Sequence, residues 1–147
     1  MRVVLQRVTK AAVSIKGSIK NEINQGLVIL LGVHQKDCEQ DIKYLTNKIA
    51  HLRIFEDKNK KMNHSLLDIG GEALVVSQFT LYGDCRKGRR PSFTESAKPE
   101  IAEPLYQSFC ESLEQLGVTV KTGEFQAYME IDLINDGPVT FAIDSDK

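Results

Sequence analysis

Residues 129–147 read MEIDLINDGPVTFAIDSDK. Met129, Ile131 and Leu133 alternate with polar neighbours, and Val139, Phe141 and Ile143 alternate again, the period-2 pattern of half-buried strands. Between the two runs stand Asn135, Asp136, Gly137 and Pro138. Asp-Gly is a turn dipeptide. Proline has no ladder N–H and enters a sheet only at an edge, a bulge or a turn. A hairpin turn joining two terminal strands is the plainest expectation. A segment shaped for a ligand is the alternative.

Working outward, 147 residues are enough for one domain with a sizeable core, since a fold near this size buries roughly two-thirds of its unfolded surface. A single domain over residues 1–147 is expected. The formal net charge of −1 excludes a global basic field for bulk nucleic-acid binding and leaves room only for local patches. Cys38, Cys85 and Cys110 form an odd set without a CxxC pair, which argues against a disulfide framework and for a reducing compartment. Met1-Arg2 leads directly into Val3-Val4-Leu5 with no signal-type apolar region. The longest apolar run, Leu27 to Leu31, is far too short to span a bilayer. The expected protein is soluble and cytoplasmic, with no membrane contact.

The opening MRVVLQRVTKAAVSIKG puts Val3, Leu5, Arg7, Thr9, Ala11, Val13 and Ile15 on one parity, as in a long strand bent near Lys10-Ala11. GLVILLGVH is apolar on both faces and fits a central buried strand. Asp37 with Gln40 three residues later resembles a capping box, and Ile42, Leu45, Ile49 and Leu52 then share one helical face. Arg53 to Phe55 fits a short strand, 57–65 a polar loop, and Glu72 to Phe79 another strand. Leu81 to Ser96 lacks periodicity and reads as a long loop. Leu105, Phe109, Leu113 and Leu116 form a second helical stripe closed by Gly117. Pro99 and Pro104 fit only near the first turn of that helix. The pattern is α+β: a curved, barrel-like, mostly antiparallel sheet with two inserted helices.

Local signals for catalysis are sparse. His34, His51 and His64 are scattered, without the spacing of a zinc site, and no metal is expected. No GxSxG, phosphate loop or dinucleotide fingerprint is present. Cys85 lies between Asp84 and Arg86, where a cation lowers a thiol pKa, but no histidine base accompanies it; an incidental loop thiol is the plainer reading. The richest stretch is SQFTLYGDCRKGRRPSF, residues 77–93. At the end of an apolar strand, backbone N–H groups leave the ladder and become free for a developing oxyanion. Ser77, Gln78 and Thr80 supply hydroxyl and amide groups there. Arg86, Lys87, Arg89 and Arg90 follow, with Gly88 among them, a cluster that fits phosphate contacts. A solvated charged loop is the alternative.

The opening MRVVLQRVTKAAV, SQFTLYGD at 77–84, KGRRPSF at 87–93 and NDGPVTF at 135–141 together resemble the D-aminoacyl-tRNA deacylase family along essentially the whole chain. The resemblance implies hydrolysis of the ester joining a D-amino acid to the terminal ribose of tRNA. It also implies a homodimer with a barrel-like β fold carrying two helices, and no metal or organic cofactor. It implies a cis Gly137–Pro138 pair that enters the partner subunit's pocket and turns backbone carbonyls toward the substrate ammonium. Ser77, Gln78, Phe79 and Thr80 then line that pocket from the other subunit. An L side chain would run into the Gly-Pro backbone, so selection would work by steric rejection, and glycyl-tRNA would be a second substrate.

Two hydrolytic routes stay open. Thr80 acts as a nucleophile, for which no activating base is evident, or water attacks with help from the ribose 2′-OH and the Phe79 or Thr80 N–H. The second is preferred. Gln78 orients water or holds the adenosine. Phe79 stacks on the terminal base or, as expected of a strand residue, fills core. Arg7, unusual on its strand face, steadies the Gly-Pro loop or pairs with a surface carboxylate. The basic residues Arg86, Lys87, Arg89 and Arg90 would meet the tRNA acceptor end. A non-catalytic RNA-binding module and a thiol hydrolase using Cys85 are the competing classes.

Overall fold

The structure, a computed structural model, describes residues 1–146. Strand β1 (Arg2–Ile15) turns through Lys16 and Gly17, both at positive φ, into β2 (Ser18–Ile23). Strand β3 (Gly26–Gly32) follows and pairs antiparallel with the first half of β1, from Arg2↔Gly32 to Val8↔Gly26. Helix α1 (Glu39–His51) leads to a small hairpin of β4 (Phe55–Glu56) and β5 (Met62–His64). Strand β6 (Glu72–Ser77) lies parallel to β3. After a long connection and helix α2 (Pro99–Gln115), strand β7 (Thr119–Thr122) lies parallel to β6. Strand β8 (Glu130–Asp144) runs back along the whole of β1.

The sheet is mixed: antiparallel in the pairings around β1, which make up most of it, and parallel at β3–β6–β7. Parallel pairing needs a crossover, and the two helices are carried in those crossovers. Asn21 Nδ2 donates to the Thr122 carbonyl at 2.6 Å, drawing β2 toward β7 and nearly closing a barrel. One core lies between the sheet and the helices, with Leu5, Ile29 and Val75 against Leu45, Ile49 and Phe109. The other fills the barrel, with Val8, Val13, Val28, Leu74 and Val76. Burial on both faces explains why β3 is apolar at every position.

Several sequence expectations shift. The single parity of β1 breaks: Val3 and Leu5 face the helices, whereas Val8, Ala11 and Val13 face the barrel interior. Register shifts against β8 between Gln6 and Lys10 cause this, because an unpaired residue flips the alternation. The N-cap of α1 is Cys38, whose N–H donates to Asp41 at 2.9 Å. Asp37 instead accepts the His34 N–H at 2.6 Å and pairs with the Met1 ammonium. Helix α2 begins at Pro99, but Pro104 lies inside it, beyond the first turn. Strands β2 and β5 lacked a signal because most of their side chains are exposed and polar.

Tyr106 pins α2 to the sheet by donating its hydroxyl to the Val75 carbonyl at 2.8 Å. That carbonyl also accepts the Gly123 N–H at 3.3 Å, so it is not orphaned when the hydroxyl is removed. Tyr106→Phe is expected to cost about 1 kcal/mol, a fall in Tm of roughly 2–4 °C for a chain of this size, read by calorimetry.

Candidate functional site

The last ladder bond of β6 is made by Gln78, whose N–H donates to the Leu31 carbonyl at 2.8 Å. The chain then coils into a single 3₁₀ turn, Phe79–Tyr82. The Leu81 N–H returns to the Gln78 carbonyl at 3.2 Å and the Gly83 N–H to the Thr80 carbonyl at 2.9 Å. The N–H groups of Phe79 and Thr80 fall between these bonds and have no partner among the described residues. Glu72 to Phe79 was expected as strand; the ladder stops at Ser77, and that stop is what frees the two donors. Gln78 Nε2 donates to the Thr80 hydroxyl, and no histidine or lysine meets that hydroxyl among the described residues.

Phe79 does not fill core. It is 56% exposed and meets Phe93 edge-on with ring centroids 5.0 Å apart. Phe93 fits there because Gly83 has no side chain: a Cβ would lie 3.0 Å from the Phe93 ring. Ser77, Gln78 and Phe79 form one side of a cleft of about 680 Å³. Phe93 and the start of α2, with Lys98 and Ala102, form another, and Phe125, Tyr128 and Met129 the third. The sequence reading did not single out these wall residues. Tyr128, an aromatic residue in a segment without periodicity, was the available signal, and the structure leaves it 85% exposed.

Gly137 and Pro138 are not in a hairpin turn. Strand β8 is continuous, and its pairing with β1 jumps from Gln6↔Thr140 to Val8↔Asn135. Residues 136–139 thus bulge out opposite Arg7. Gly137 has φ +120° and the Gly137–Pro138 bond is cis. A Cβ at Gly137 would lie 2.8 Å from Val139 Cγ2 and 3.0 Å from Arg7 Nη2, so glycine is required. Asn135 ties the base of the bulge, with Nδ2 donating to Thr140 Oγ1 at 3.0 Å and Oδ1 accepting the Val139 N–H at 3.2 Å.

Arg7, 3% exposed, lies beneath. Its Nε donates to the Asp136 carbonyl at 3.2 Å and is 3.1 Å from Asp136 Oδ2. Nη1 donates to the Ile54 carbonyl at 2.7 Å, and Nη2 is 3.5 Å from Glu56. Gly137 and Pro138 are themselves exposed. Arg7 pairs across from Leu27, whereas Ser77 pairs across from Leu31. The two motifs are therefore separated by roughly 13 Å along the strands and by two strands across. Within one chain they do not share a cleft.

The basic loop is closed by an Asp84↔Ser92 bridge with N···O distances of 2.8 and 3.0 Å. Arg86 is taken up by Asp84, Nε–Oδ1 2.8 Å and Nη2–Oδ2 2.9 Å. The Arg86 guanidinium holds the Asp84 carboxyl down to about 2. Lys87, Arg89 and Arg90 are exposed and have no ion-pair partner among the described residues. Cys85 is exposed, with its sulfur 3.9 Å from the Gly83 carbonyl, and Cys110 is buried, its thiol pushed up to about 12 by that burial. The His34 ring lies tilted against Tyr82 with centroids 5.2 Å apart and accepts the Lys36 N–H at 3.2 Å; no hydrogen bond joins a thiol to a histidine among the described residues. Among the described residues no three His, Cys, Asp or Glu side chains cluster as metal ligands, and no helix is long and apolar enough to cross a membrane.

The family model described as D-Tyr-tRNA(Tyr) deacylase matches residues 4–144. The chain belongs to the D-Tyr-tRNA(Tyr) deacylase family. It is 58% identical over 145 residues to the D-aminoacyl-tRNA deacylase of Halalkalibacterium halodurans, covering 99% of each chain. It is 57% identical over 147 residues to that of Thermosipho africanus, covering 100% of this chain and 99% of the relative. A solved structure described as c-Myc DNA Unwinding Element Binding Protein superposes with TM-score 0.92 at 38% identity, covering 98% of each chain. A second, described as a probable eukaryotic D-amino acid tRNA deacylase, has TM-score 0.81 at 18% identity over 97% of each chain and shares the fold.

In this deacylase-family chain Arg7 holds the bulge from below and Asn135 ties its base. Arg7→Ala is expected to raise amide exchange across 135–141 by about an order of magnitude, the effect of losing roughly 1.4 kcal/mol of local stability, while α2 is unchanged. Hydrogen exchange with mass spectrometry reads this. Unaltered protection would mean Arg7 does not hold the bulge.

Proposed function

We propose that this chain hydrolyses the ester between a D-amino acid and the terminal ribose of tRNA, releasing free D-amino acid and tRNA, and spares L-aminoacyl esters. Family membership supports the reaction class. The observation that carries the finer reading is the separation of the two motifs, an open cleft with free N–H donors and a supported Gly-Pro bulge that does not line that cleft. A homodimer in which Gly137 and Pro138 of one subunit enter the partner's cleft satisfies both.

In such a site the substrate ammonium donates to the backbone carbonyls of Gly137 and Pro138. With ammonium and ester carbon both placed, the side chain of a D-residue points out of the site and that of an L-residue points into the Gly-Pro backbone. Discrimination is then steric rejection. Glycine has nothing to reject, so glycyl-tRNA is a second substrate. Tyr128, Phe93 and Phe79 offer ring surface to the terminal adenosine. The attacking group is water, assisted by the ribose 2′-OH. The Phe79 and Thr80 N–H groups take the charge that grows on the carbonyl oxygen, and Gln78 and Ser77 place substrate and water. The Thr80 hydroxyl orients rather than attacks, since its partner is the Gln78 amide and a hydroxyl nucleophile needs a base. This route uses no metal or organic cofactor. Lys87, Arg89 and Arg90 approach the phosphates of the acceptor end, and the working place of such an enzyme is the cytoplasm.

A purely nucleic-acid-binding role, the property named for the 38%-identical structure, is the second reading, and it predicts binding without turnover. Single-turnover deacylation of matched D-tyrosyl-, L-tyrosyl- and glycyl-tRNA, with and without EDTA, decides. Rapid release of D-tyrosine and glycine, spared L-tyrosine and indifference to EDTA are expected. Glycyl-tRNA as slow as the L-ester would overturn the steric account, and inertness toward all three would leave the binding role. Thr80→Ala is expected to lower kcat within about tenfold, the worth of one hydrogen bond; near-total loss would make Thr80 the nucleophile.

A further inference from the structure

Between residues 43 and 61, six cations (Lys43, Lys48, Arg53, Lys58, Lys60 and Lys61) stand against two carboxylates, Glu56 and Asp57, in a chain whose net charge is −1. The fold carries them on α1, on the segment that follows it and on the β4–β5 hairpin, and all six are exposed. Both carboxylates are engaged within the fold. Glu56 lies 3.5 Å from buried Arg7. Asp57 accepts Asn63 Nδ2 at 2.6 Å, the Asn59 N–H at 2.7 Å and the Lys61 N–H at 3.0 Å.

The cations are left largely uncompensated. Arg53 donates only to the neutral Asn63 carbonyl and Oδ1, at 2.7 and 2.9 Å. Lys48 sits 5.8 Å over the Tyr44 ring. Lys43 is 3.9 Å from Glu39, and both are more than three-quarters exposed. Lys58, Lys60 and Lys61 have no side-chain partner among the described residues. Flexible cations on an open surface, without a buried polar anchor, fit a polyanion backbone rather than one small ligand.

Position makes the patch informative. The Ile54 carbonyl, next to Arg53, is the acceptor that fixes Arg7 at 2.7 Å, and Arg7 carries the Gly137–Pro138 bulge. The patch and the bulge thus share one support. We infer that this surface takes the phosphate backbone of the tRNA whose acylated end lies in the partner subunit's cleft, so that each substrate is held by both subunits. The inference rests on the cross-subunit reading above. Lys87, Arg89 and Arg90, on the loop after the 3₁₀ turn, hold the same tRNA from the catalytic subunit.

The test uses Lys48→Gln/Lys58→Gln/Lys61→Gln in the full chain, sparing Arg53, which braces Asn63. Activity is measured over a salt series on D-tyrosyl-tRNA and on the D-tyrosyl ester of adenosine, which has no phosphate. KM for the tRNA is expected to rise about tenfold or more and the salt slope to shallow by up to about three, near one for each phosphate no longer neutralised. The adenosine ester is expected to react as before. Mixed dimers locate the patch. The triple variant is paired with a subunit whose cleft is filled by Ser77→Trp, so the working cleft faces the intact patch, and the wild-type slope is expected. An unchanged slope in the triple-variant homodimer, equal loss on both substrates, or a reduced slope in the mixed dimer would each overturn the inference. A monomer by sedimentation would remove the cross-subunit reading itself.

Discussion

Taking the Arg7 guanidinium out of water costs several kcal/mol unless its donors find partners, and on a strand face shared with Val3 and Leu5 those partners must come from outside the strand. They come from two distant segments. Ile54 and Glu56 reach in from the end of α1 and the small hairpin, and Asp136 reaches down from the bulge of β8. The four residues 136–139 stand opposite Arg7 where an uninterrupted ladder would place one. The break in pairing that lifts Gly137 and Pro138 out of the sheet is thereby tied to a side chain that cannot be left unsatisfied. The exposed tip is carried by a buried charge.

A second break in pairing shapes the other half of the site. Strand β6 leaves its ladder at Gln78, and the next two N–H groups find no carbonyl among the described residues. A protein that buries backbone donors must pair them; one that presents them beside a cleft can keep them for a charge that appears during reaction. Both candidate elements are thus interruptions in an otherwise regular sheet, at opposite ends of β3. Their distance within one chain is the physical ground for proposing a dimer.

Charge follows the same division. The chain as a whole is close to neutral, yet cations are left unpaired on the loop after the 3₁₀ turn and along the α1–hairpin edge, because nearby carboxylates are held by other groups. Asp84 takes Arg86, which reduces the loop cluster read from the sequence to Lys87, Arg89 and Arg90. Glu56 and Asp57 serve Arg7 and the hairpin turn. Composition alone shows none of this, since it counts charges without their partners.

The sequence by itself was enough for the family, through SQFTLYGD, KGRRPSF and NDGPVTF in order, and for the elements with strong periodicity: β1, β3, the stripe of α1 and the stripe of α2. These follow from local rules, the alternation or the helical spacing of apolar side chains. What it did not contain was anything set by a neighbour far along the chain. The parity change in β1, the parallel pairing of β6 and β7, the Cys38 cap, the exposure of Phe79 and the wall at Phe125 to Met129 all depend on which segments meet. Above all, Asn135 to Pro138 has local chemistry that suits a hairpin turn or a bulge, and nothing within those residues chooses between them. Only the tertiary structure shows a bulge in a continuous strand, because that strand pairs with β1 on both sides of Arg7, and pairing between residues 1–15 and 130–144 is a property of the folded chain.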